Sequence, residues 1–133
     1  MRTTARDVLS SLLEQQAAGA GPRVLAENFS EDVDWWIPGD LETVPWIGRK
    51  RGRAGVAEFF DQLTTLAAPL EFVVEEVLGD ADRCVALGRL RTRVLSTGRI
   101  IESEFAIDVT VGEGLITRYH LLEDSWAVAH AFS

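Results

Sequence analysis

Apolar residues change their spacing once along this chain, from a helical period to an alternating one. Val8, Leu9, Leu12 and Leu13 recur at three- and four-residue intervals, which places them on one helix face. Thr4 suits the N-cap of this helix, with Asp7 three residues on as the partner of a capping box. Gly19-Ala20-Gly21 should stop it, because glycine adopts the left-handed backbone that terminates helices. Pro22 opens a second, short helix reaching Phe29; a proline in the first turn has its φ already set. Ser30 to Asp32 reads as a polar break. Val33 to Ile37 is β-prone, and Pro38-Gly39-Asp40 turns the chain. A loop with Val44, Pro45, Trp46 and Ile47 leads to the basic patch Arg49, Lys50, Arg51 and Arg53. From Gly55 to Leu66 the helical period returns, with Val56, Phe59, Phe60, Leu63 and Leu66 in one stripe.

Beyond Pro69 the period is two. Leu70–Leu78, Arg83–Leu95, Arg99–Val111 and Leu115–Glu123 read as strands, separated by turn signals at Gly79-Asp80, Thr97-Gly98 and Gly112-Glu113-Gly114. The apolar tail, SWAVAHAFS, suits a short helix or a strand end. Three helical segments followed by a run of strands predict an α+β fold, with the helices on one face of a curved antiparallel sheet. The 133 residues show no linker or repeat, so one domain, 1–133, is expected.

Hydrophobic residues make up 47% of the chain, with four Trp and six Phe, the residue types that dominate the walls of ligand pockets. The net charge of −8 argues against nucleic acid or an anionic membrane as partner, since both call for a basic face. The single cysteine, Cys84, lies in an apolar run and reads as a small core residue. The opening MRTTARDVLSSLL lacks the long apolar stretch of a secretory signal, and no segment approaches the ~20 apolar residues of a membrane span. A soluble cytoplasmic protein is the expectation. Two His and one Cys, widely separated, do not suggest a metal site, and no phosphate loop, dinucleotide fingerprint or serine-nucleophile motif is present. No cofactor is therefore expected.

Three segments carry a family resemblance: FSEDVDWWIPG (29–39), VPWIGRKRGRAGVAEFF (44–60) and GLITRYHLLEDSWAVAHAF (114–132). With their order and the strands between, the chain from Val8 to Phe132 resembles the SnoaL-like branch of the nuclear-transport-factor-2-like superfamily. That superfamily includes ketosteroid isomerases, polyketide cyclases and limonene epoxide hydrolases. The resemblance implies a cone-shaped α+β domain around one apolar pocket. It also implies a cofactor-independent cyclase or isomerase acting on a small, apolar, carbonyl-bearing molecule, and a homodimer through the outer sheet face.

Strand alternation then nominates site residues. Phe105, Ile107, Val109 and Val111 share the apolar face expected to meet the pocket, and Glu102, Glu104, Ala106, Asp108 and Thr110 the opposite one. Relatives resemble one another in carrying a His near the position of Ile107, and ketosteroid isomerases place a protonated Asp in that region. Isoleucine does neither job, and Trp36-Ile37 stands where the isomerase base should lie. Both departures argue against ketosteroid isomerase activity. The resemblance leaves Asp124 as the candidate acid/base, because desolvation in an apolar cavity raises a carboxyl's pKa toward neutrality. Stepping back by two puts Leu122, His120, Arg118 and Ile116 on its face if the strand is regular. His120 would share the pocket, though four residues along a strand is ~13 Å, too far for a direct bond. Asp124 also suits the N-cap of a tail helix, and His120 a polar place at the surface or dimer face. Trp36, Trp46, Phe59, Phe105, Ile107 and Leu122 are the expected pocket walls, with Trp46 as a lid; plain core packing is the alternative for each Trp. Arg89, Arg91 and Arg93 alternate on one face opposite Glu102, Glu104 and Asp108, which favours cross-strand pairs. An Arg beside Asp124 would instead resemble the epoxide hydrolases. A non-catalytic module binding an apolar ligand is the alternative function, and an epoxide hydrolase-like activity a weaker one.

Overall fold

The chain was analysed as a computed structural model, which describes residues 3–133. Met1 and Arg2, part of the segment read for a secretory signal, lie outside them. Thr4 caps helix α1 (Ala5–Ala17) as its spacing predicts. Its hydroxyl accepts from the Asp7 N–H at 3.2 Å, and the Asp7 carboxylate accepts from the Thr4 N–H at 3.2 Å. Pro22 starts the short α2 (Pro22–Ala26). The chain then enters β1 (Phe29–Ile37) and, after the loop bearing Trp46, β2 (Gly48–Arg51). Helix α3 (Gly52–Leu66) follows, then four strands: β3 (Ala67–Gly79), β4 (Arg83–Val94), β5 (Ile100–Gly112) and β6 (Leu115–Glu123). The tail forms α4 (Ser125–His130).

The six strands make one curved, unclosed sheet in the order β2-β1-β6-β5-β4-β3, packed with the four helices into an α+β cone. The sheet is mixed, not purely antiparallel: β1 lies parallel to β6, with Trp35 beside Tyr119 and Trp36 beside His120. Ser30 to Asp32 falls inside β1 and does not end it, but the pairing with β6 shifts between Phe29 and Asp34, so the ladder is interrupted at this polar stretch. The basic patch is a strand and a helix start, not a loop. Asp34 pairs with Arg51 and Trp36 with Arg49 across β1 and β2, so cross-strand partners order a segment that is polar on its own.

A bulge in β6 sets which side chains point inward. Val111 pairs with Ile116 but Thr110 pairs with Arg118, leaving Thr117 as an extra residue. The extra residue reverses the alternation predicted from Asp124. Buried Ile116 and Tyr119, then Leu121 and Glu123, fall on the inner face; Arg118, His120 and Leu122 fall on the outer. On the inner side Trp35 is only 1% exposed and anchors an aromatic cluster between β1, β6 and α3. Its ring stacks on Tyr119 with centroids 4.2 Å apart and lies 4.8 Å from Phe59, with Phe29 and Phe60 completing the surround. Each such pair adds ~0.5–1.5 kcal/mol beyond the apolar area it buries. Further along, Phe105 reaches across β4 to stack on Phe72, 4.7 Å away. Only glycine permits this: a Cβ at Gly88 would lie 2.7 Å from Phe105 Cζ and 1.9 Å from the Val73 carbonyl oxygen.

Candidate active site

The inner face carries one carboxylate whose chemistry is altered by its surroundings. Glu123 stands opposite Phe105 on β5, on the same side of the sheet as Tyr119 and Leu121. Among the described residues no hydrogen bond or ion pair reaches its carboxylate. Burial, helped by the negative charge of Asp124, pushes its pKa up to about 7. Burial, with Glu123 as the lesser cause, also raises the Tyr119 phenol, which stays protonated. The Trp35 Nε1–H, also on this face, finds no acceptor among the described residues. The arrangement therefore places a proton acceptor poised near neutrality on a face whose other polar groups are neutral donors.

The residues expected at the site divide between the two faces. Phe59, Phe105, Ile107 and Trp46 are buried at 2–4% exposure. Trp46 packs against Phe132, with ring centroids 5.2 Å apart. Trp36 does not line the interior; Trp35 does. β1 presents Trp36 outward, where the Arg49 guanidinium covers its ring at 5.0 Å. Leu122 is likewise on the outer face and 49% exposed. Asp124 lies past the end of β6 and caps α4, accepting the Ala127 N–H at 3.0 Å. His120 sits outside the cone, separated by the sheet from Glu123.

His120 belongs to a ladder of charges across the outer face. Arg49 pairs with Asp34 at 3.2 Å, and Asp34 lies 3.2 Å from His120 Nε2 without aligning for a hydrogen bond. Arg118 donates to His120 Nδ1 at 2.9 Å; a guanidinium only donates, so that nitrogen carries no proton. Arg118 also binds Asp108 at 3.0 Å, and Arg83 binds the same carboxylate at 2.7 Å. The hydrogen bond from Arg83, with Arg118 beside it, holds Asp108 below its ordinary pKa. Arg91 pairs with Glu102 at 2.9 Å, and Arg89 turns to Glu71 at 3.2 Å. These guanidinium groups are engaged on the outer face, and none approaches Asp124 or Glu123.

Reading the sequence for the site missed Glu123. A signal for it exists: Ile116 and Tyr119 are three apart, which breaks a period of two and marks a bulge. Among the described residues no three His, Cys, Asp or Glu side chains group as a metal site would need. No helix among them is long and apolar enough to cross a membrane.

Residues 13–119 match the SnoaL-like domain family, and the chain belongs to it. Its fold is shared with an NTF2-like protein from Burkholderia xenovorans LB400 (24% identity, 95% of this chain and 93% of that one, TM-score 0.84). An NTF2-like protein from Burkholderia thailandensis E264 matches over 100% and 99% of the two chains, at 19% identity and TM-score 0.85. A candidate SnoaL-like polyketide cyclase from Mesorhizobium loti is 14% identical, covering 87% of this chain and 96% of its own, at TM-score 0.69. None of the curated proteins matches the chain.

Proposed function

We propose that this protein is an enzyme of the polyketide cyclase or isomerase type. It moves a proton on a small, mostly apolar, carbonyl-bearing molecule, with Glu123 as the general acid/base. The observation that carries this reading is the place of Glu123 on the inner face, unpaired and opposite Phe105, where burial pushes its pKa up to about 7. A base with a pKa near the working pH combines a large ionised fraction with useful strength. Asp124 contributes through its charge, which opposes ionisation of its neighbour. The shared fold with one candidate SnoaL-like polyketide cyclase agrees with this class of chemistry.

The test is carbon-bound hydrogen exchange of small cyclic ketones in D2O, followed by NMR. Glu123→Gln should slow the catalysed exchange by ~10²–10⁴-fold. Asp124→Asn should keep most activity, because asparagine caps helices as well as aspartate does. Wild-type exchange in a folded Glu123→Gln protein would sink the assignment. The second reading is a non-catalytic module for an apolar ligand. It is favoured by the aromatic rings that pack on one another where a substrate would otherwise fit. Ligand binding without exchange would select it. Epoxide hydrolysis has no support, since it needs an arginine beside the acid.

The outer face fits a second copy of the chain. Exposed Leu78 and Leu122 flank half-buried Val85, Leu87 and Ala106 in an apolar strip. Ion pairs border the strip on both sides, Arg83 and Arg118 with Asp108 on one and Arg89 with Glu71 on the other. A two-fold axis through the strip would lay it against its own copy and bury its apolar side chains.

A further inference from the structure

His120 stands between two carboxylates on the outer face. Asp108 is its register partner on β5. Asp34 reaches it from β1, with Oδ1 3.2 Å from Nε2. The imidazole is only 16% exposed, and Nε2 is buried without an aligned acceptor among the described residues. The other ring nitrogen is engaged: Arg118, two residues earlier on β6, donates to Nδ1 at 2.9 Å. The same guanidinium donates to Asp108 at 3.0 Å, where Arg83 also binds. Further charges on this face come from β2: Arg49 pairs with Asp34, and Arg51 is the register partner of Asp34.

One proton decides this arrangement. A guanidinium has donors only, so its bond to Nδ1 exists only while the imidazole is neutral and carries its proton on Nε2. An imidazolium has two N–H donors and no acceptor, whichever way the ring is flipped. Protonation therefore removes the Arg118–His120 bond and sets two cations side by side. Both carboxylates are in place to receive them: Asp108 already holds Arg118, and Asp34 gains a charged donor in place of a misaligned neutral one. Imidazole is the side chain that makes this change between about pH 5 and 8.

We propose that His120 is a proton-operated switch on the outer face. In its neutral state it locks Arg118 across β5 and β6; in its charged state it releases Arg118 and pairs with Asp34. The switch lies two residues from Leu122, at the border of the apolar strip. In a dimer through that strip each subunit brings one extra cation to the joint, where cover by the partner reduces the screening of its repulsion with Arg118. Falling pH then weakens the dimer. This last step rests on the reading of the strip as the dimer face; the switch itself does not.

The test follows the ring nitrogens of His120 by NMR in the full-length protein from about pH 8 to 5. At the alkaline end Nε2 should carry the proton and Nδ1 none. On acidification the Arg118 guanidinium signals should move with the same midpoint as the ring. The opposite tautomer, a ring that never charges, or Arg118 signals that stay constant while the ring titrates overturns the switch. His120→Gln keeps an acceptor for Arg118 but cannot titrate, so its Arg118 signals should not respond to pH. Sedimentation then reads the assembly, in a Glu123→Gln background because Glu123 also titrates in this range. With His120 in place the dimer should be about tenfold weaker near pH 5.5 than near pH 8, and with His120→Gln the difference should vanish. A dimer of equal strength at both pH values overturns the coupling to assembly. A monomer throughout removes the dimer reading instead, and the ring measurement still decides the switch.

Discussion

Glu123 and Asp124 are neighbours in sequence with opposite surroundings. Asp124 is exposed and occupied as a helix cap, whereas Glu123 is shielded and unpaired, and burial drives the Glu123 pKa upward. The fold therefore favours the protonated form of Glu123. Its contribution to stability is fully present below the ordinary value of 4.5 and is lost as pH rises through about 7. Asp108 acts in the opposite sense. The Arg83 hydrogen bond lowers its pKa, so its contribution is present above 3.8 and is lost as pH falls. Glutamine imitates the protonated acid at every pH. The stability of Glu123→Gln relative to wild type should thus grow by about 1–3 kcal/mol between pH 4.5 and 8. Urea melts at the two pH values check this; parallel behaviour would mean that Glu123 is solvated.

At the scale of elements, local signals were read well where they act locally. The Thr4–Asp7 capping box, Pro22 at a helix start and the α3 stripe all appear as the spacing predicts. Strand limits of β4, β5 and β6 lie within a residue of the expected ones. What failed was parity. One extra residue, Thr117, moves His120 and Leu122 outside and brings Glu123 inside, because side chains alternate with a period of two. Gly88 shows the same dependence on neighbouring strands: nothing within β4 demands a glycine, but Val73 and the Phe105 ring do. Gly88→Ala should cost about 3 kcal/mol in chemical denaturation, through overpacking. A cost below ~0.5 kcal/mol would show that the Phe105–Phe72 stack is free to move aside.

For the whole molecule, the proposed dimer is the prediction with the widest reach. Leu122→Lys places a charge at one end of the apolar strip and should turn a dimer into a monomer in sedimentation or scattering, with the fold intact by circular dichroism. A wild-type monomer at the same concentration would remove the proposal. The sequence alone determined the class of fold, the order of its elements and the family, because capping, periodicity and turn chemistry are short-range properties written in adjacent residues. Tertiary structure alone decided that β1 runs parallel to β6, that Trp35 and not Trp36 fills the interior, and that Glu123 is the carboxylate facing it. Each of these depends on the register between strands distant in sequence, and register converts a shift of one residue into a change of face.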